Sequence, residues 1–183
     1  MTASQRDRIK QALVEVVGDR GYAETNVREI INRAGVSRKT FYELYESKED
    51  CLFAIYDEVA QALRGVIQAA HERGVTPQER LDASCDILLR WVEDEPALAR
   101  LCLLEVPTSG IAGQRRLTAT LSWLSSVTAD WIGDLDVPDV LPELLVGGVH
   151  QMVVHRLVND GSEQIPALAG DLSEVWTDLE RRR

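Results

Sequence analysis

Between Thr25 and Leu52 the chain reads TNVREIINRAGVSRKTFYELYESKEDCL, and this stretch restricts the fold more than any other. It holds two short amphipathic segments, each with its own start signal, separated by one glycine. Asn26 suits the N-cap of the first, and Glu29 three residues on completes a box-like pattern. Val27, Ile30, Ile31 and Ala34 then share one helical face. Gly35 is the residue best able to take the left-handed conformation that ends such a helix. Ser37 is the next N-cap, and Val36 before it is spaced to staple onto Phe41. A helix, a short turn containing glycine and a second short helix form a helix-turn-helix.

The second helix opens Arg38-Lys39-Thr40 and carries Tyr42, all donors suited to nucleic acid. Arg38 and Lys39 lie in the first turn, where base edges are usually reached. Arginine can hold guanine bidentately, and lysine does the same less rigidly. Thr40 and Tyr42 suit phosphates through their hydroxyls, while Glu43 either reads cytosine or points to solvent. Ser47-x-x-Asp50 is the start signal of a further helix. Lys48 at its first position opposes the helix dipole, and a DNA phosphate at that helix end would account for it.

Gly21-Tyr22, Thr25, Val27, Ile30, Ala34-Gly35-Val36-Ser37, Thr40-Phe41-Tyr42, Tyr45 and Ser47-Lys48-Glu49-Asp50 together resemble the DNA-binding domain of the TetR family of transcriptional regulators. The chain departs from the family pattern at Ile31, Lys39 and Leu44. The resemblance implies DNA contacts by Thr25, Asn26, Val27, Ser37, Arg38, Lys39, Thr40, Tyr42, Tyr45 and Lys48, the last on a phosphate. It also implies a homodimer on a palindromic double-stranded operator, with a C-terminal body that binds a small-molecule effector.

A net charge of −10 argues at first against a nucleic-acid partner. The distribution of that charge argues the other way. Residues 1–48 hold nine Lys/Arg against seven Asp/Glu, whereas 49–183 hold eleven against twenty-three. Recognition needs a basic face, not a basic protein. Glu15, Asp19 and Glu29 can sit away from the DNA side, and an acidic body discourages nonspecific binding elsewhere. Arg6, Arg8 and Lys10 are either a solvated face or an arm touching phosphate. No apolar run reaches membrane-spanning length and no signal peptide is visible, so a cytoplasmic protein is expected. Cys51, Cys85 and Cys102 are then reduced, buried thiols, with redox sensing as the rarer alternative.

Helical periodicity continues beyond the motif. Ile9 to Val17 precede it, ending at Gly21, and residues 1–3 are expected to fray. Leu52 through Ala70 form a long helix of about 25 residues ending near Arg73-Gly74, a natural lever between head and body. Further helices are expected from Pro77 to Asp94, from Pro96 through Leu104, and over Leu117–Trp131, with a break at 107–113 and a loop at 133–138. Val140 to Val158 is apolar almost all round and must be buried on more than one face. Gly147-Gly148 would let another backbone come close, and a last helix follows from about Pro166 to a disordered Arg181–Arg183 tail. Doubled across a two-fold axis, these two helices give a four-helix interface, with Leu144, Gly147, Gly148, Gln151, His155, Leu168, Leu172 and Trp176 as its residues.

Catalysis has no visible support. His150 and His155 are five apart, the wrong spacing for paired zinc ligands on a helix, and no phosphate loop or nucleophile elbow is present. No cofactor and no metal is expected. Glu105 lies in the apolar run LCLLEVP and is a rim residue, a partner of Arg100, Arg115 or Arg156, or a ligand-contacting acid. An apolar cavity between helices is the usual form of a small-molecule site. Its candidate lining is Leu88, Trp91, Leu101, Leu104, Glu105, Trp123, Val127 and Met152, though each tryptophan could equally be core.

The expected fold is all-α with about nine helices: a three-helix DNA-binding head at 1–48 and a helical-bundle body for ligand and dimerisation at 49–183. The expected function is a homodimeric, effector-released regulator, more a repressor than an activator. A dimeric regulator sensing no small molecule is the first alternative, and an enzyme on a helical bundle the second.

Overall fold

The computed structural model describes residues 4–73, 76–133, 137–159, 165 and 167–180. Among them there are nine helical runs and no strand: α1 (Gln5–Arg20), α2 (Val27–Ala34), α3 (Arg38–Leu44), α4 (Lys48–Arg73), α5 (Pro77–Asp94), α6 (96–108), α7 (Ile111–Ile132), α8 (Leu141–Val158) and α9 (Ala167–Glu180). None of the described helices is long and apolar enough to cross a membrane. Residues 1–3, Gly74, the middle of the loop after Gly133, Pro166 and residues 181–183, on which expectations of fraying, helix ends and a tail fell, lie outside the described residues.

Local signals account for most helix ends. Ser4 caps α1 in a reciprocal box with Asp7, and Gly21 at φ 83° ends the helix. Asn26 and Glu29 make the expected box on α2, and Gly35 is left-handed at φ 62°, ψ 41°. Ser47 Oγ accepts from the Asp50 amide at 3.0 Å, but the Asp50 carboxylate reaches back to the Glu46 amide instead of that of Ser47. Thr76 and Glu79 form a third reciprocal box, opening α5.

Packing groups the chain into two compact units. The first comprises residues up to Ala60 with Ala97–Leu117; the second comprises Gln61–Pro96 and residues from Thr118 onward. This grouping differs from a functional division at 48/49, because the start of α4 and the segment 97–117 pack with the head. Ile9, Leu13, Ile30, Phe41 and Leu52 are fully buried in the first unit. Ile67, Leu89, Leu157, Ile165 and Leu168 are the corresponding residues of the second, where α5 packs against α9. Cys51, Cys85 and Cys102 are free and buried, and burial pushes each thiol up to about 12. At neutral pH such thiols are poor nucleophiles.

α6 is not uniform. Pro96–Arg100 is α-helical, Leu101–Glu105 is a π turn, and Val106–Thr108 resumes the α-helix. The Val106 amide donates to the Leu101 carbonyl, five residues back. Pro107 gives a reason: it has no amide to donate, and its ring clashes with the carbonyl four residues earlier, so a wider turn before it relieves both. The break after α6 is shorter than expected. Ser109 Oγ donates to the Val106 carbonyl, Gly110 turns at φ 117°, and α7 begins at Ile111 instead of near Leu117. Gly113 then passes so close that a Cβ there would lie 1.9 Å from the Val106 carbonyl oxygen.

Candidate nucleic-acid interface

α3 has one buried anchor and one free face. Phe41 is fully buried, edge-on to Tyr42 with ring centroids 5.3 Å apart. Ser37 Oγ accepts from the Thr40 amide at 3.0 Å and lies 2.9 Å from Thr40 Oγ1, which fixes the first turn. Arg38, Lys39, Tyr42 and Glu43 are exposed, Tyr42 to 46%. At positions i, i+1, i+4 and i+5 they form one continuous face opposite Phe41. The Arg38 guanidinium lies 5.5 Å from the Tyr42 ring centre. Lys39 and Glu43 are 3.7 Å apart with side chains 86% and 60% exposed. An ion pair that open is weak, so a phosphate or base edge can displace Glu43 cheaply.

Acids of the head are drawn to another flank. Arg33 pairs with Glu15 at 2.9 Å and with Asp19 at 3.1 Å, and Arg20 pairs with Glu29 at 2.6 Å. These three carboxylates are thereby matched between α1 and α2. Of the N-terminal cations, Lys10 pairs with Glu58 at 2.6 Å, and Arg6 lies 5.2 Å from the Tyr45 ring centre.

Two of the expected contact residues are corrected. Thr25 is 3% exposed and its hydroxyl donates to the Gly21 carbonyl at 2.8 Å. Tyr45 is 3% exposed, stacked obliquely on Phe41, and burial pushes its phenol up to about 12. Both belong to the packed interior of the head, not to its outer face. Asn26 and Ser37 are exposed but act as caps, and Val27 is half-buried.

Lys48 has internal partners that the sequence did not reveal. Its Nζ donates to the Tyr22 and Thr25 carbonyls, both at 2.7 Å, and lies 3.9 Å from the Tyr22 ring centre. Burial pulls its pKa below the ordinary lysine value. At most one of its three N–H donors remains for a phosphate. Glu105 also has a partner in the head: its carboxylate accepts the Tyr22 amide at 3.2 Å, which ties it to the α1–α2 loop. No local signal could have found that bond, which spans 83 residues.

The profile of the bacterial regulatory proteins of the tetR family matches residues 9–55, the span just described. An HTH-type transcriptional regulator of Mycobacterium tuberculosis is 33% identical over 128 residues, 68% of this chain and 63% of the relative's length. Residues 9–55 thus match the DNA-binding domain of the tetR family, and the chain spans less than two thirds of that relative's length. Among solved structures, the fatty acid degradation regulator FadR of Bacillus halodurans superposes with a TM-score of 0.84 at 19% identity, over 96% of this chain and 95% of that one. FadR of Bacillus subtilis, in complex with stearoyl-CoA, gives 0.79 at 21% identity over 92% and 96%. At such identities the likeness is one of fold.

Beyond the TetR head, the expected ligand lining is divided. Leu101, Leu104 and Glu105 pack with the first unit, Leu101 being fully buried. Leu88, Trp91, Trp123, Val127 and Met152 belong to the second, each half-buried. Arg64 lies 5.3 Å from the centre of the Trp123 ring system. On α8, Leu144 (61% exposed), Gly147, Gly148, Gln151, His155 and Val158 are exposed along one helical stripe. A Cβ at either glycine would meet nothing within 4 Å. On α9, Leu172 is half-buried, but Leu168 is 1% exposed and is corrected from interface to core residue. The Trp176 side chain lies outside the described residues.

Proposed function

We propose that this protein is a DNA-binding transcriptional regulator of the TetR family, a cytoplasmic repressor that binds a palindromic operator as a homodimer and is released by an amphipathic effector. It is not an enzyme. The observation that carries this reading is the division of α3 into one buried anchor, Phe41, and an exposed polar face of Arg38, Lys39, Tyr42 and Glu43. Two such helices in successive major grooves would read half-sites about 34 Å apart or a multiple of it. The exposed stripe of α8 supports pairing of two copies, because it carries Leu144 and Val158 in solvent and two glycines at which a second backbone could come close.

For the effector, the stearoyl-CoA of the Bacillus subtilis neighbour points to a molecule with a long apolar chain and a polar head. The effector acts by preferring the body conformation in which the heads no longer match the operator, and only by that difference in affinity. α4, which begins three residues after Tyr45 and runs to Arg73, is the connection through which body and head are coupled.

The test is a gel-shift titration on a duplex selected from random-sequence DNA by the wild-type protein, with and without stearoyl-CoA, and with coenzyme A alone as control. Release by the acyl thioester but not by the control supports the full reading. Binding unaffected by either leaves a regulator whose body serves assembly alone. Failure to select any duplex contradicts the DNA reading.

A further inference from the structure

Tyr22 is held at both ends of its backbone by opposite charges from distant parts of the chain. Its amide donates to Glu105 Oε2 at 3.2 Å, and its carbonyl accepts from Lys48 Nζ at 2.7 Å. Lys48 also takes the Thr25 carbonyl at 2.7 Å and lies 3.9 Å from the Tyr22 ring centre, while Thr25 Oγ1 donates to the Gly21 carbonyl at 2.8 Å. The loop from Gly21 to Thr25 is therefore tied at its start and at its end, immediately before Asn26 opens α2. A carboxylate accepting an amide and an ammonium donating to carbonyls are the stronger, charge-assisted kind of hydrogen bond.

The tie depends on the shape of α6. Glu105 is the last residue of the π turn, and the extra residue in that turn changes the direction in which the side chains after Leu101 point. α1 packs against this turn, and Glu105 Oε1 would lie 3.7 Å from a Cβ at Gly21. Lys48 is the first residue of α4, just beyond α3. The loop that Glu105 holds thus connects through Lys48 to both sides of the recognition helix.

We propose that Glu105 and Lys48 form a charge clamp on the Tyr22 backbone, and that Glu105 is a positioning residue for DNA recognition although it belongs to α6 and not to the head sequence. Its carboxylate fixes the α1–α2 loop, and with it the start of α2 and the seat of Lys48, so that α3 is presented in one orientation. The positioning role rests on the DNA-binding reading; the clamp does not.

The experiment compares amide hydrogen exchange and DNA binding in full-length wild type, Glu105→Ala and Glu105→Gln, with the exposed Glu93→Ala as control. Removing the carboxylate should speed exchange at the Tyr22 amide by about tenfold or more, as expected for a lost hydrogen bond to a charged acceptor. Glutamine keeps a carbonyl acceptor and should restore most of the protection, while amides of α5 and all those of the Glu93→Ala protein keep wild-type rates. On the duplex selected by the wild type, Glu105→Ala should weaken binding by about fivefold with an unchanged salt slope, since no phosphate contact is removed. Should the alanine variant not fold, Glu105→Met keeps the bulk without the acceptor and takes its place. Unchanged exchange at Tyr22 overturns the clamp. Faster exchange with unchanged affinity overturns the positioning role, and a weaker salt slope overturns it in favour of a direct electrostatic effect. If the wild type selects no duplex, the DNA reading and the positioning role fall together, and the exchange comparison still decides the clamp.

Discussion

Gly113 and Gly148 are both helical glycines, and the two regions that hold them are built for opposite purposes. At Gly113, near the start of α7, a neighbouring backbone carbonyl already occupies the space a side chain would need. At Gly148, midway along α8, nothing lies within reach. The first belongs to a unit that pairs many of its charged groups internally, on the flank of α1 and α2 and at the doubly held Tyr22. The second belongs to a helix whose exposed stripe combines Leu144, Val158 and two bare glycines. The first unit is closely packed around its glycine; the α8 stripe is open to solvent. What looks alike in sequence, glycine inside a helix, is closure in one place and an open surface in the other.

The largest effect is expected at Gly113. Gly113→Ala must push apart α6 and α7, and should cost about 2 kcal/mol or more of stability, whereas Gly148→Ala has no such clash. Thermal unfolding of the two variants side by side checks it. Next comes the open end: Gly148→Glu leaves the fold of one chain undisturbed and should shift the sedimenting mass from dimer towards monomer. No shift would move the interface elsewhere.

Within the head, Arg38→Ala and Lys39→Ala should each weaken binding to the selected duplex by about 1–3 kcal/mol and relax its sequence preference, without lowering the unfolding temperature. Lys48→Ala should do the reverse in kind. It takes a charged donor from two carbonyls, of which that of Tyr22 keeps the Thr25 amide at 3.2 Å, so it should lower stability by about 1 kcal/mol and weaken binding to all sequences alike. Its effect on the salt slope should be at most about 1, the share of its single remaining donor.

The smallest effect belongs to the second unit. Burial pulls His150 on α8 below its ordinary pKa of 6.5. The folded protein then binds fewer protons there than the unfolded chain, so stability is lost as pH falls through 6.5 and below. His150→Leu should flatten that part of the urea-denaturation profile, and an unaltered profile would assign the slope to other groups.

How much of this was legible in the sequence follows from the range of the interactions. Ser4, Asn26, Ser37 and Thr76 act within three residues of themselves, and the helix starts they mark are where the pattern puts them. The length of α4 and the apolar stretch of α8 were equally plain, because periodicity is local. Thr25, Tyr45 and Leu168 escape a sequence reading for one reason: a residue in a contact motif or on an interface helix can face inwards, and sequence spacing over seven residues does not fix which way. The π turn was invisible, although Pro107 was its signal. Lys48 stands out in the sequence as misplaced for a helix start, but its carbonyl partners lie 23 and 26 residues back. Glu105 stands out as a costly acid, and its partner is a backbone amide that carries no residue identity at all. The division of packing at Ala60 and Ala97, with a segment of the body sequence joined to the head, has the same non-local origin.

In the proposed function the exposed face of α3 reads DNA on a two-fold axis. Selection of random-sequence duplexes by the purified full-length protein, followed by sequencing, tests it most directly. Enrichment of an inverted repeat with half-sites one helical turn or a multiple apart is expected, and should be lost when Arg38 and Lys39 are both replaced by alanine. Enrichment of a single unrepeated site, or the same repeat selected by the double variant, would contradict it.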